Sequence, residues 1–241
     1  MHRARPLLLL AMLALLPRWA AAGTPPDTAT RGIRATFYGD MAQIASMRTL
    51  AILASGGALA GVCAVLETSS QGTDASEGNW WDESSDVGNA AGNAAIIGAV
   101  AGAALLVGHY SKSQSLYMAG SEMARSVLYS GVVTIALKAA VQRTRPDGGP
   151  YSFPSGHAAA AFSIAPVLAA RFGIYAAVPA YLLAGVTAFG RVEERKHYPS
   201  DVVFGATLGL ASGIAVTESD ATFHGLAIVV EPEGVGLAKR F

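Results

Sequence analysis

His157 and His197 each lie beside the start of an apolar segment rich in alanine and glycine. His157 follows the stretch Phe-Pro-Ser-Gly, in which Ser155 is a typical helix N-cap residue. The backbone N–H groups at a helix start lack partners within the helix and carry the positive end of its dipole, so they bind anions, phosphate above all. Gly156 lets a ligand approach this backbone closely. His157 is then placed to donate a proton to whatever the anion is attached to.

His197 precedes the other segment, and Asp201 comes four residues later, where the first turn of a helix is predicted. If Asp201 accepts a hydrogen bond from one ring nitrogen of His197, the tautomer is fixed and the other nitrogen is left as a nucleophile. The sequence therefore predicts a direct contact between these two side chains. A carboxylate in a first helical turn is also favoured by the helix dipole, which is the ordinary structural explanation for Asp201.

A basic cluster precedes both histidines. Lys138 and Arg145 are seven residues apart, nearly two helical turns, so a continuous helix would place them on one face. Pro146 disfavours helix at the residue before it, which predicts a helix C-terminus here. Arg143 adds a third charge nearby, and Arg191 is predicted to end a later helix. Basic residues at a helix C-terminus also complement its dipole without any ligand.

These three clusters all fall between residues 138 and 201, and each lies at a predicted helix end. A tight turn at 171–173 joins two of the predicted helices. If these helices are antiparallel, the clusters at 154–157 and 191–201 return to the same end of a bundle, where the helix carrying Lys138 also ends. The conjunction predicts one anion-binding site that contains two histidines.

The composition bounds the protein class. The chain has 241 residues, of which 52% are hydrophobic and only 14% charged, against about a quarter charged in a typical soluble protein. Lysine plus arginine and aspartate plus glutamate both number 17, so no overall charge favours a nucleic-acid partner. The single cysteine, Cys63, lies in an apolar run, and we expect it to be a core residue. These features are typical of a helical membrane protein or a tightly packed helical core.

The apolar segments predict an all-α fold, a six-helix bundle with a short C-terminal β-hairpin. Their length and alanine content favour helices, and the pattern changes to strand-like alternation after the sixth. Some of them approach the roughly 20 residues that cross a bilayer. Small residues allow close helix contact in a membrane or in a soluble bundle, so both remain open. The uncharged stretches are 49–66, 87–108, 126–137, 158–170, 172–190 and 202–217.

The N-terminus has the pattern of a secretory signal peptide: a short basic start, an apolar stretch at 7–16 and small residues before position 23. An apolar stretch of that length is too short to cross a hydrocarbon core of about 30 Å. We therefore expect an exported protein with a signal peptide at 1–22 and a linker at 23–42 that leads into the bundle. The helical domain is predicted at 43–217 and the hairpin, to which we assign no role, at 218–241.

The orientation in a membrane is ambiguous. Segment 67–86 carries six acidic residues and no basic one, which argues against a cytoplasmic location. Trp80 and Trp81 could anchor this loop at a membrane interface or pack within it. However, if the signal peptide is cleaved and all six helices cross, the third helix ends in the cytoplasm. Either one segment, first of all 49–66, does not cross, or residues 1–22 are not a cleaved signal, or the bundle is a soluble periplasmic domain.

The three clusters together resemble the type-2 phosphatidic acid phosphatase and vanadium haloperoxidase superfamily. Its signature is K-x6-R-P, then P-S-G-H, then S-R-x5-H-x3-D. Here these parts read from Lys138 to Pro146, from Pro154 to His157 and from Gly190 to Asp201, with matching spacing. The chain departs from the signature at Gly190, where the family has serine, so one hydroxyl near the phosphate is missing. The resemblance covers about residues 90 to 217.

The resemblance implies a role for each matching residue. His197 is the nucleophile that forms a phosphohistidine, Asp201 orients it, and His157 protonates the leaving alkoxide. The phosphoryl oxygens are held by Lys138, Arg145, Arg191, Ser155 and the backbone N–H of Gly156. No metal and no cofactor is implied, since the cations occupy the place of divalent ions.

The expected function is that of a metal-independent phosphatase, acting outside the cytoplasm on a phosphomonoester or pyrophosphate, for which a lipid phosphate is a natural candidate. The expected location is a bacterial-type inner membrane or the periplasm. Two alternatives remain: a vanadate-dependent haloperoxidase, because vanadate resembles the trigonal-bipyramidal phosphoryl state, and a non-catalytic helical membrane protein on the same scaffold.

Overall fold

The computed structural model describes residues 33–68 and 90–223, together with two strands at 226–231 and 234–239. The predicted signal peptide, Trp80, Trp81 and most of the acidic segment lie outside the described residues. The helices are α1 Ile33–Ile44, α2 Met47–Thr68, α3 Ala94–Tyr110, α4 Gln114–Val141, α5 Gly156–Phe172, α6 Ile174–Glu193 and α7 Pro199–Phe223.

The described chain therefore has seven helices where six were predicted. The six predicted segments correspond to α2 through α7, so the all-helical class is confirmed and the helix count was wrong. The additional helix is α1, whose charged Arg34 and Asp40 interrupt the apolar pattern by which the others were found. After α7, strands β1 Leu226–Glu231 and β2 Gly234–Lys239 pair antiparallel, with Val230 opposite Val235.

Helix α7 is the centre of the bundle. It packs against α5, α2, α1, α4 and α6. Its contact with α5 depends on Gly205, Gly209 and Gly213, which recur every four residues on one face. A Cβ at these positions would lie 2.2 to 2.4 Å from backbone carbonyls of α5 and of its N-cap residue. Small residues thus bring the two backbones together.

The helices alternate in direction, which collects their ends on two sides. One side of the bundle, which we term the site end, is where α2, α4 and α6 end and where α3, α5 and α7 begin. We term the opposite side the far end. The turn between α5 and α6 is a single residue, Gly173, with φ of 73°. This confirms the predicted antiparallel pair and places the clusters around Ser155 and His197 together at the site end.

Ion pairs buried near the far end hold α1 in the fold. Asp40 of α1 is fully buried and accepts two hydrogen bonds of 2.7 Å from Nη1 of Arg125 on α4. Nη2 of Arg125 donates to Asp220 of α7 at 2.5 Å, and the hydroxyl of Tyr129 donates to Asp40 at 2.8 Å. Helix α1 is therefore docked by charge as well as by packing.

Four helices of the described chain, α2, α4, α6 and α7, are long and apolar enough to cross a membrane. Helices α4 and α6 expose apolar side chains such as Ile135 and Leu182, as lipid-facing helices do. By contrast, 94% of the apolar window of α7 is buried inside the protein. Cys63 is also buried, and packs with Ala60 and Val203 between α2 and α7. The protein is thus a membrane protein whose central helix is shielded by the others.

Candidate active site

His197 lies in the turn between α6 and α7, with only 3% of its surface exposed. Its Nδ1 is 2.7 Å from the backbone carbonyl of Ser152. A carbonyl oxygen can only accept, so Nδ1 carries the proton in this contact and Nε2 keeps its lone pair. The neutral tautomer required of a nucleophile is therefore selected by the backbone at Ser152.

The predicted hydrogen bond from His197 to Asp201 is absent, and that expectation was wrong. The nearest oxygen of Asp201, Oδ2, is 3.9 Å from Nδ1. This carboxylate is engaged elsewhere: Oδ2 accepts from the hydroxyl of Ser152 and, at 3.0 Å, from the backbone N–H of Tyr198. Oδ1 accepts from Nη1 of Arg143 at 2.7 Å. Asp201 therefore fixes the position of Ser152 and of the segment around Tyr198, which in turn position His197.

Ser155 is the N-cap of α5, as predicted, and its side chain accepts from the backbone N–H of Ala158. Its own N–H donates to the carbonyl of Asp201 at 3.0 Å, which ties the start of α5 to the start of α7. Gly156 and His157 are the first two residues of α5. The helix start and its histidine thus lie at the site end, joined to the first turn of α7.

The start of α3 packs closely against His157. A Cβ at Gly92 would lie 2.9 Å from the Cβ of His157 and 2.5 Å from Cγ2 of Thr187. Only a residue without a side chain fits between α5 and α6 at this point. Gly92 therefore limits how His157 can move, which the sequence did not indicate.

The predicted helical face shared by Lys138 and Arg145 does not form. Helix α4 ends at Val141, and Gln142 adopts a left-handed conformation with φ of 50°, so Arg145 lies in the following turn. The two cations still interact, because the turn folds back. Lys138 Nζ donates to the carbonyl of Tyr151 at 2.6 Å.

The turn that carries Arg145 is joined to the loop before His197. The backbone N–H of Asp147 donates to the carbonyl of Arg195 at 3.1 Å, and its carboxylate accepts from Lys196 Nζ at 2.9 Å. This brings the first and third sequence clusters together. Nε of Arg145 is buried and has no hydrogen-bond partner among the described residues, as expected of a group that binds an external anion.

Arg191, in the last turn of α6, is 8% exposed and pairs with Glu194 at 2.7 Å. The positive charges of Lys138, Arg145 and Arg191 all act on both histidines. The site thus combines two imidazoles, three cations and a helix start at one end of the bundle.

Burial shifts the pKa of both histidines. The pKa of His197 is lowered from 6.5 to about 3, first because the ring is buried and next because Lys138 repels an added positive charge. The hydrogen bond to Ser152 opposes this shift only in part. The pKa of His157 is also lowered, by burial first and then by Arg191. Both rings therefore favour the neutral form, while a bound phosphate would favour protonation of His157.

Among residues 33–68 and 90–223, no group of three or more His, Cys, Asp or Glu side chains is placed to hold a metal ion. The charged side chains around the two histidines are instead cations. This arrangement is suited to an anion.

Sequence reasoning overlooked Ser152, which donates to Asp201, and Glu67, which is linked to Asp201 through Arg143. Ser152 precedes the P-S-G-H motif by two residues, and nothing in its pattern distinguishes it from a loop serine. Glu67 is the penultimate residue of α2, far away in sequence, yet it accepts from the backbone N–H of Ser200 at 2.5 Å. Arg143 was noted only as a further charge, although it connects Glu67 with Asp201.

Residues 147–223 match the family model described as PAP2 superfamily. The match includes the second and third clusters, whereas Lys138 and Arg145 precede it. The chain is 33% identical over 164 residues to a lipid A 1-phosphatase of Rhizobium johnstonii, an alignment that covers 58% of this chain and 64% of the relative. A lipid A 1-phosphatase of Rhizobium etli is 32% identical, with 58% and 67% covered. The chain thus spans less than two thirds of the first of these relatives.

Among solved structures, a transmembrane PAP2-type phosphatidylglycerolphosphate phosphatase from Bacillus subtilis aligns with a TM-score of 0.49 and 21% identity. That alignment covers 78% of this chain and 96% of the other. LpxE from Aquifex aeolicus aligns with a TM-score of 0.47 and 23% identity, over 58% of this chain and 84% of the other.

Proposed function

The chain belongs to the PAP2 superfamily, and from this membership we propose that it is a metal-independent phosphatase that hydrolyses a phosphomonoester or a pyrophosphate through a phosphohistidine. The observation that carries the proposal is the state of His197. Its Nδ1 is engaged by the Ser152 carbonyl, its pKa is low, and three cations surround it. Such a ring keeps a free Nε2 lone pair in a site that attracts phosphate.

In the proposed binding mode, the phosphoryl oxygens are held by the cations and by the start of α5. The side chains are Lys138, Arg145 and Arg191, and the helix start adds Ser155 and the backbone N–H of Gly156. Phosphoryl transfer depends mainly on positioning and on stabilising the charge of the equatorial oxygens, so these groups supply most of what the reaction needs. The buried Nε of Arg145 supports this assignment.

In the first step, Nε2 of His197 donates its electron pair to phosphorus, and the bond from phosphorus to the leaving oxygen breaks. His157 gives a proton to that oxygen, so the leaving group departs as an alcohol from a phosphomonoester, or as a phosphate from a pyrophosphate. In the second step, water attacks the phosphohistidine, His157 takes a proton from the water, and inorganic phosphate is released with His197 restored. Asp201 stabilises the positive imidazole from 3.9 Å, and positions it through Ser152.

The proposed substrate is a lipid phosphate. Two features support it: the curated relatives are lipid A 1-phosphatases, and the site lies at one end of a bundle with four candidate spans. A headgroup at the membrane surface would meet the site end without leaving the bilayer. Lipid A carrying a 1-phosphate is therefore the first substrate to test.

We further propose that the site faces outside the cytoplasm. Thr68 ends α2 and Ala94 begins α3, so the acidic segment between them leaves and re-enters the bundle at the site end. Because residues 69–93 contain five acidic residues and no basic one, their exposure outside is favoured, and the site would share their side of the membrane.

The test is phosphate release by the purified full-length protein, with EDTA present, from lipid A 1-phosphate, a simpler lipid phosphate, an isoprenyl pyrophosphate and a sugar phosphate. We expect release from at least one lipid substrate, and its loss in His197→Ala and His157→Ala. His109→Ala is the matched control, since this exposed histidine ends α3 near the far end. Activity of His197→Ala equal to that of the parent would overturn the mechanism.

A further inference from the structure

We propose that Glu67, at the end of α2, is a positioning residue for the nucleophile, acting through Arg143 and Asp201. The proposal rests on the phosphatase function proposed above and assigns to it a residue outside the three sequence clusters. It also assigns part of the site to α2, which lies outside the segment 147–223 that matches the family model.

The first link joins Glu67 to the start of α7. Oε1 accepts from the backbone N–H of Ser200 at 2.5 Å, and Oε2 accepts from the hydroxyl of the same residue at 2.8 Å. Backbone N–H groups in the first turn of a helix have no partner within it, so a carboxylate from another helix is a strong cap. Glu67 thereby fixes where α7 begins.

The second link is Arg143, whose guanidinium lies between two carboxylates. Nη2 donates to Glu67 at 3.1 Å, while Nη1 donates to Asp201 and to the hydroxyl of Ser200, each at 2.7 Å. The same group lies over the ring of Tyr198, 3.9 Å from its centroid. Arginine suits this place because its planar fork can bond several acceptors in fixed directions.

The third link reaches His197. Asp201 accepts from the hydroxyl of Ser152, and the carbonyl of Ser152 accepts from Nδ1 of His197. The backbone N–H of Ser152 in turn donates to the carbonyl of Arg143 at 2.7 Å. The loop that orients the imidazole is therefore held through both its side chain and its backbone, and both routes pass through Arg143.

This chain of contacts matters for catalysis because Asp201 does not contact His197 directly. The direction of Nε2 depends on the position of the Ser152 carbonyl, and that position depends on Asp201 and Arg143. A nucleophile displaced by a fraction of an ångström loses much of its rate even when the substrate still binds. Glu67 bonds to Arg143 and Ser200, whereas the proposed phosphate ligands are Lys138, Arg145 and Arg191, so we expect substrate affinity to be spared.

The test compares Glu67→Gln with Glu218→Gln. Glu218 on α7 is the matched control: it is also a partly buried glutamate paired with an arginine, but it lies near the far end. We expect kcat of Glu67→Gln, measured per folded molecule on the lipid phosphate that the parent hydrolyses, to fall on the order of tenfold with KM nearly unchanged. The control should keep the parent kcat.

A second variant, Arg143→Lys, retains the positive charge but lacks the planar guanidinium that bonds several acceptors. We expect the same fall in kcat. If the parent releases phosphate and both variants retain its kcat and KM, this inference is wrong while the proposed function stands. If only thermal stability falls, Glu67 is merely structural and the inference is again overturned. If the parent releases no phosphate from any substrate, the proposed function fails first, and the inference falls with it.

Discussion

The low pKa of His197 has a measurable consequence in acid. At pH 5, a histidine with a pKa of 6.5 is roughly 97% protonated and cannot act as a nucleophile, whereas one with a pKa of about 3 is roughly 99% neutral. The share of usable nucleophile therefore differs about thirtyfold. We expect ¹⁵N NMR of the labelled protein in detergent to show a neutral His197 ring throughout the range from pH 7 to pH 4.5.

The same shift makes the fold acid-sensitive. Because the folded-state pKa of His197 lies below the unfolded value, the unfolded chain binds the proton more readily. Stability is then fully present above about pH 6.5 and is lost as pH falls towards 3. Each pKa unit corresponds to about 1.4 kcal/mol, and the unfolded chain is already half protonated at pH 6.5, so between pH 6.5 and pH 4.5 this one residue should lower the free energy of unfolding by about 2 kcal/mol.

The assay is denaturant unfolding of the parent and of His197→Asn, in the same detergent, at both pH values. Asparagine cannot titrate, yet its amide can still donate to the Ser152 carbonyl. The variant should lose about 2 kcal/mol less stability than the parent on acidification, while other titrating groups contribute equally to both. Equal losses, or an NMR titration of His197 near pH 6.5, would refute the reasoning from burial.

Three further predictions test the fold and its orientation. Arg125→Ala should lower the free energy of unfolding by about 3 to 5 kcal/mol, since it leaves the buried Asp40 uncompensated; the double variant with Asp40→Asn should recover part of this loss. Gly209→Ala should lower the free energy of unfolding by about 1 to 3 kcal/mol, because its Cβ would lie 2.2 Å from the carbonyl of Ala159. A variant as stable as the parent would contradict the close α5–α7 contact. Protease added to intact spheroplasts should cut the chain within 67–91, and protection of that segment would reverse the proposed orientation.

Much of the candidate site could be found in the sequence because its parts are local. Serine is a preferred helix N-cap residue, so Ser155 predicts a helix start from its local sequence, and it does cap α5. Likewise, the turn around Gly173 indicated an antiparallel pair, which explains why the start of α5 at Ser155 meets Asp201. Local capping and turn preferences survive in the folded chain because they depend on the backbone of a few adjacent residues.

The errors concern contacts between distant residues. The spacing of His197 and Asp201 allows a contact across one helical turn, but α7 begins between them, and the carboxylate is occupied by Ser152 and Arg143. The spacing of Lys138 and Arg145 assumed an unbroken helix, which ends at Val141. Spacing identifies which residues can meet; competition among partners decides which of them do.

The helix count shows the same limit. Helix α1 was missed because its charges look solvated in the sequence, whereas Asp40 is fully buried against Arg125. A charge can enter a helical core only where another element brings an opposite charge to it. That requirement is met by residues of α4 and α7, so the sequence of α1 alone cannot show that Asp40 is buried.

The residue types and their order were enough to predict an all-helical bundle with an anion site built from two histidines and three cations, while a membrane bundle and a soluble one both remained open. Helix caps, apolar runs and motif spacing are properties of neighbouring residues, and they are readable without a fold. The tautomer of His197, the use of the Ser152 carbonyl as its partner and the connection from Glu67 to Asp201 emerge only when α2, α5 and α7 meet at the site end. These depend on which acceptor is nearest in space, a quantity that the packing of the helices sets.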